Sequence, residues 1–204
     1  MGQVFRQAEA YLDQFDPEYI GQFVEIGTSR NGDDGSTRTI AAWAKRFDKS
    51  LWTVDMDPKN CAFVNDMNLE NVNVVNSTGE DYLKDFPSHI AYISFLYLDN
   101  FDWDWHPEKT ESFVLEQQQR YAELGFTMNN VNSQAAHLQQ MVLALPAMGE
   151  QSIVVCDDTW YNKWWGHYSG KCGAVVPLLL NNGYEVLYTC EEPEYGTILG
   201  RGVK

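Results

Sequence analysis

No apolar run in this 204-residue chain approaches the roughly 18 residues that a membrane span requires. Positive charge is also scarce, with 14 Lys and Arg against 29 Asp and Glu and a formal net charge of −15. That balance argues against a surface that neutralises nucleic-acid phosphates or anionic lipid, so the expected partner is a small molecule, with no nucleic acid and no membrane. Cysteine is sparse and scattered. Cys61, Cys156, Cys172 and Cys190 form no C-x-x-C pair and have no His at ligand spacing, which indicates neither a zinc site nor a disulfide framework. A cytoplasmic location is the default for such a chain. The opening MGQVFRQAEAYLDQF lacks the basic-then-apolar layout of a signal peptide, and Arg6 sits where a myristoylation motif would want Ser or Thr. Internal repeats, low-complexity tracts and linker-like stretches are absent as well. One domain is therefore expected over 1–204, with 1–20 as an N-terminal helical extension and 106–148 as a helical insertion.

What is present is a 44% apolar fraction, enough for a real core, arranged as apolar runs alternating with helical stretches. That alternation predicts an α/β fold, a mostly parallel sheet covered by helices on both faces. Strands are expected at 22–27, 50–56, 72–77, 91–99, 152–158, 184–190 and 195–201. Between the last two stands only EEPE, too short for a crossover, so the final strand should run antiparallel. Phe5, Ala8, Leu12 and Phe15 share one face of an N-terminal helix. Gly35 to Phe47 reads as a helix capped by Ser36 or Thr37, and another opens at Pro58. A further helix runs over GKCGAVVPLLLNNG to its stop at Gly183, with Pro177 restricting its start. Thr110 to Met148 reads as two helices broken around 125–130, which could form a lid on the acceptor site or a dimerisation element.

The strongest local signal is FVEIGTSRNGDDGSTRTIAAWA, Phe23 to Ala44: a strand ending in an acid, a Gly-rich turn, then a helix. In open α/β sheets, ligands bind at the carboxyl ends of the strands, where such a turn lets a cofactor approach the backbone. The second strand ends in Asp55, where a carboxylate can accept both hydroxyls of a ribose. Asp57 suits the cap before Pro58 better than Asp55 does, which leaves Asp55 freer for a ligand. The third strand ends in NSTGED, whose small polar residues and Glu80 could line an adenine edge. Two later strands, YISFLYLDNFDWDW and SIVVCDDTWY, end alike, in carboxylates followed by aromatics.

These residues together resemble class I S-adenosylmethionine-dependent methyltransferases, and within them the catechol and macrocin O-methyltransferase-like groups, over nearly the whole chain. The resemblance implies a Rossmann-like seven-stranded sheet with an antiparallel last strand, and transfer of a methyl group to the hydroxyl of an aromatic or sugar acceptor. It implies that Glu25 and Gly27 lie near the methionine part of the cofactor, that Asp55 holds the ribose, and that Ser77, Thr78 and Glu80 face the adenine. Thr28, Ser29 and Ser36 offer small hydroxyls in the first turn, although Ser29 and Asn31 stand where the family's E-x-G-x-G-x-G turn has its later glycines. In metal-dependent members, one magnesium ion is held at the positions of Asp99, Asp157 and Asp158, with Asp99 also beside the cofactor. Such an ion would acidify a bound hydroxyl. Asp102 stands where some relatives keep a general base, with His106 and His167 as alternatives. Trp103, Trp105, Trp160, Tyr161, Trp164, Trp165 and Tyr168 are expected to form one aromatic wall that stacks on the acceptor. Two rival readings are a nicotinamide-dependent oxidoreductase, which would want the G-x-G-x-x-G that is missing here, and a non-catalytic binding or assembly protein whose aromatic wall is an interface.

Overall fold

A computed structural model describes residues 2–30, 35–86, 91–104, 110–190 and 194–203. Seven strands form one sheet: β1 (Gln22–Ile26), β2 (Leu51–Asp55), β3 (Val72–Asn76), β4 (Ile93–Leu98), β5 (Met148–Asp157), β8 (Glu185–Cys190) and β9 (Gly196–Arg201). Their order is β3-β2-β1-β4-β5-β9-β8. The pairs along β3-β2-β1-β4-β5 are parallel, and β9 runs antiparallel to both β5 and β8. This is the Rossmann-like sheet with one reversed strand that the sequence predicts. The turn within EEPE lies at 191–193, outside the described residues.

Burial on both faces explains why these strands read as continuous apolar runs. Val24, Leu96, Leu98, Val154 and Cys156 point to a layer shared with α4 (Gly79–Lys84), α6 (Asn130–Ala144) and α7 (Val175–Asn181). Their neighbours Phe23, Phe95, Tyr97, Ile153 and Val155 point the other way, against α1 (Gln3–Leu12) and α2 (Ser36–Arg46). Phe23 stacks on Phe95 at 5.4 Å between ring centroids, and Trp43 meets Phe95 edge-on at 5.7 Å. Each such fully buried side chain contributes about 2 kcal/mol. On α1, Val4, Ala8 and Leu12 are buried with the following Phe15, and Phe5 packs edge-on to Tyr97.

One helix is added and three local expectations are corrected. A six-residue helix, α4, follows β3, because the Thr78 hydroxyl accepts a hydrogen bond from the Asp81 amide and caps it. The stretch after β5 is a hairpin of β6 (Thr159–Asn162) and β7 (His167–Gly170), whose Thr, Trp and Tyr residues suit a strand. That hairpin shortens the helix expected from Gly170 to α7, leaving Pro177 in its first turn. β5 starts at Met148, four residues before the sequence reading, directly after a 3-10 turn that ends the second insertion helix. The two insertion helices are α5 (Glu111–Glu123) and α6, capped by the side chains of Thr110 and Asn129. Pro58 opens α3 (Pro58–Asp66) after Asp57, whose carboxylate accepts from the Lys59 amide as expected.

Candidate functional site

Register builds the site. β1 pairs with β2 so that Glu25 lies beside Thr53. The Thr53 hydroxyl donates to Glu25 Oε2 at 2.6 Å, and the Thr37 hydroxyl donates to the same oxygen at 2.7 Å. Ser36 donates to Oε1 instead of capping α2, whose N-cap is Gly35 without a side-chain bond. Glu25 is fully buried, and burial raises its pKa from 4.5 to about 7 even though the three hydroxyls pull it down. Ser29 is held by the same knot, because its amide and hydroxyl donate to Thr37 Oγ1 at 3.0 and 2.9 Å. The Thr28 hydroxyl lies 3.1 Å from that oxygen. Glu25, Ser29 and Ser36 thus tie the first turn to β2 and α2. Gly27 has φ +94, and a Cβ there would stand 2.6 Å from the Asn100 nitrogen, so the turn needs glycine to press against the end of β4. Asn31 and Gly32 lie outside the described residues.

Asp55, at the end of β2, is less free than expected. Its carboxylate accepts from the amides of Thr28 (3.2 Å) and Asp57 (2.7 Å) and from Asn60 Nδ2 (3.1 Å), and burial raises its pKa. It still lines a cavity with Ser77, Thr78, Glu80 and Asn100. There the Asn100 Oδ1 is buried without a partner. The chemistry of this lining fits an adenosine, because an unpaired acceptor and carboxylates face a ring amine and ribose hydroxyls. Its size does not yet fit: the space is about 50 Å³, against roughly 300 Å³ or more for a ligand pocket. α5 covers it with Gln117, Arg120 and Tyr121. Arg120 donates to Asp57 Oδ2 at 2.7 Å and to Asn60 Oδ1 at 2.6 Å.

The acidic strand ends do come together. Leu98 pairs with Cys156, so the next residues, Asp99 and Asp157, stand side by side. The cation between them, however, is a side chain. Lys171 Nζ lies 2.7 Å from Asp99 Oδ1, 3.1 Å from Asp157 Oδ2 and 3.2 Å from Asp158 Oδ2, with only 3% of its side chain exposed. The magnesium ion expected on Asp99, Asp157 and Asp158 is not supported: the Lys171 ammonium stands where those carboxylates converge. Among the described residues no group of three or more ligating side chains is placed to hold a metal. Burial would raise the Asp99 pKa, but Lys171, Asp157 and Arg30 hold it down at about 2. Asp157 moves well up, through burial and the neighbouring Asp99 charge.

Asp102, expected at the position of a general base, is engaged by a cation. Arg30 Nη1 holds its carboxylate at 2.7 Å, the Asp102 amide donates to the Tyr121 hydroxyl, and the residue is 6% exposed. His106 and Trp105 lie outside the described residues. His167 lines a second, open cleft of about 1230 Å³ beyond β5. Trp103, Trp160, Tyr161, Trp165 and Tyr168 line it too, so most of the expected aromatic wall is in place. Trp164 is not part of it, being 94% exposed and outside the lining.

No family model matches the chain, and no curated protein is similar to it in sequence. Solved structures are similar in fold. A Streptococcus mutans protein assigned as a methyltransferase and crystallised with SAH aligns over 98% of both chains, at 11% identity and a TM-score of 0.55. An rRNA methylase from Streptococcus thermophilus also aligns over 98% of both, at 12% identity and 0.54. The O-methyltransferase NovP aligns over 97% of this chain and 78% of its own, at 10% identity and 0.54. The chain shares its fold with these methyltransferases. At these identities the likeness is one of fold. Within the methyltransferase fold, the residues that sequence reasoning missed are Lys171, Arg120 and Asn100. Asn100 directly follows Asp99 and was within reach of the motif. Lys171 was not, because only the return of the β6–β7 hairpin brings it under β5.

Proposed function

We propose that the protein transfers a methyl group from S-adenosylmethionine to a hydroxyl of a small aromatic or glycosidic acceptor. The observation that carries this reading is the order of features along the strand ends. An adenosine-type cavity lies at β2, β3 and β4, the Asp99–Asp157 cluster follows, and the aromatic cleft lies beyond β5. Bound in the first cavity, S-adenosylmethionine would supply an electrophilic sulfonium methyl. Asp55 and Asn100 would hold the ribose and adenine, and Arg120 and α5 would have to lift to admit them. Trp160, Trp165 and Tyr168 would stack on the acceptor ring. The carboxylates of the Asp99, Asp157 and Asp158 cluster are the groups that would take the acceptor proton as the methyl arrives.

Charge supports a small acceptor: at −15 the chain is poorly suited to RNA, the substrate class named for the Streptococcus thermophilus protein. The reversed β9 weighs against the nicotinamide reading, since dinucleotide-binding sheets keep the parallel order 3-2-1-4-5-6. The test is transfer of radiolabelled methyl from S-adenosylmethionine to a panel of phenols and glycosides in the presence of EDTA. Label in one acceptor class supports the reading. No label anywhere, alongside oxidation of NADH, overturns it.

A further inference from the structure

We propose that Lys171 is a tethered replacement for a divalent cation: its ammonium holds Asp99, Asp157 and Asp158 in the convergence that a metal ion would otherwise impose, and thereby closes the site to metal.

Three carboxylates that meet at one point repel unless a cation stands among them. An ammonium has three N–H donors, and here they face three carboxylates, at 2.7, 3.1 and 3.2 Å. Lys171 is thus saturated. The carboxylates keep 30%, 31% and 20% of their side chains exposed while the lysine keeps 3%, so the cation sits on the inner side of the cluster. A divalent ion approaching the outer side would meet a like charge already bound to all three ligands.

The lysine is delivered by construction rather than by a mobile chain. The Lys171 amide donates to the Asp158 carbonyl at 3.0 Å, and the next amide, of Cys172, donates to Thr159 Oγ1 at 3.0 Å. Before it, Gly170 has φ +93, and a Cβ there would fall 1.8 Å from the Asp158 carbonyl oxygen. After it, Cys172, Val175 and Leu179 are fully buried in the core. The β6–β7 hairpin therefore returns the chain beneath the end of β5 and fixes the stem of Lys171 on both sides. The ammonium also differs from a metal in what it offers. It has no open coordination position, so an acceptor oxygen is oriented here by carboxylates and aromatic rings and not by ligation.

The test is titration of the apo protein with Mn²⁺, read by electron paramagnetic resonance of the free ion, for wild type and Lys171→Ala. It uses neither cofactor nor acceptor, so its failure would leave the methyl-transfer reading standing. Wild type should show no stoichiometric site. Lys171→Ala should gain one, with Mn²⁺ affinity up by roughly tenfold or more, the scale on which one neighbouring charge acts on a carboxylate. Adding Asp157→Asn to that variant should remove the gain. Stoichiometric Mn²⁺ binding by wild type, lost in Asp157→Asn, overturns the proposal whether or not the lysine variant folds. So does a Lys171→Ala protein with wild-type circular dichroism and no gain. Lys171→Met, which keeps the apolar stem, serves as the second variant and should gain the same site.

Discussion

Arg120 Nε stands 2.7 Å from Asp57 Oδ2, and this ion pair ties α5 across the cavity at the ends of β2 and β4. Because the covered space is about 50 Å³, a nucleoside can enter only when the tie is released. Arg120→Ala should therefore speed the association of S-adenosylhomocysteine by about tenfold, by raising the fraction of open molecules. The loss of stability should be no more than about 1 kcal/mol, since the guanidinium is 30% exposed. Stopped-flow tryptophan fluorescence measures the rate, and an unchanged or slower association would contradict the closed-lid account.

Glu25 predicts a pH dependence. Its pKa is raised by burial from 4.5 to about 7, so the native state holds a proton that the unfolded chain has lost between those values. Stability contributed by this group is then greatest below pH 4.5 and declines as pH rises to 7, by about 3 kcal/mol at most. Glu25→Gln should flatten the urea midpoint between pH 5 and 7 relative to wild type, with the difference between the two curves isolating this residue. Parallel curves would show that Glu25 does not hold the proton.

Much of the fold was legible because its signals are local. β-branched runs, Pro58 at a helix start and the short EEPE connection each act within a few residues, and the strands, α3 and the reversed β9 follow from them. Glu25, Asp55, Asp99 and Asp157 were found because strand ends place carboxylates by position alone. Their partners were not, since partners depend on register across the sheet. Asp102 was picked out by position, but its pairing with Arg30, 72 residues away, was not legible. Thr78 lines the cavity as expected of its position, but that its hydroxyl also caps α4 was not legible. The hairpin of β6 and β7 was hidden by its tryptophans, which read as a binding loop although they also favour strands.

The backbone that carries Lys171 gives a stability prediction. Gly170→Ala places a methyl group at φ +93 and 1.8 Å from the Asp158 carbonyl oxygen, so the hairpin must shift. The expected loss is about 2 kcal/mol or more, read as a lower midpoint in urea. A neutral outcome would mean that the β6–β7 return is not rigid.

The aromatic cleft predicts a separation of effects. Trp165 lines it while remaining 72% exposed, so Trp165→Ala should fold normally. It should raise the acceptor KM by about two- to tenfold, the worth of one ring stack, and leave S-adenosylhomocysteine affinity unchanged. Loss of cofactor affinity without change in acceptor KM would place the acceptor elsewhere.

The most direct test of the central claim is calorimetric titration of the protein with S-adenosylhomocysteine, with NADH as the comparison and EDTA in both. The account predicts one binding event per chain for S-adenosylhomocysteine, weakened in Asn100→Ala, and none for NADH. Heat from NADH with none from S-adenosylhomocysteine would contradict it.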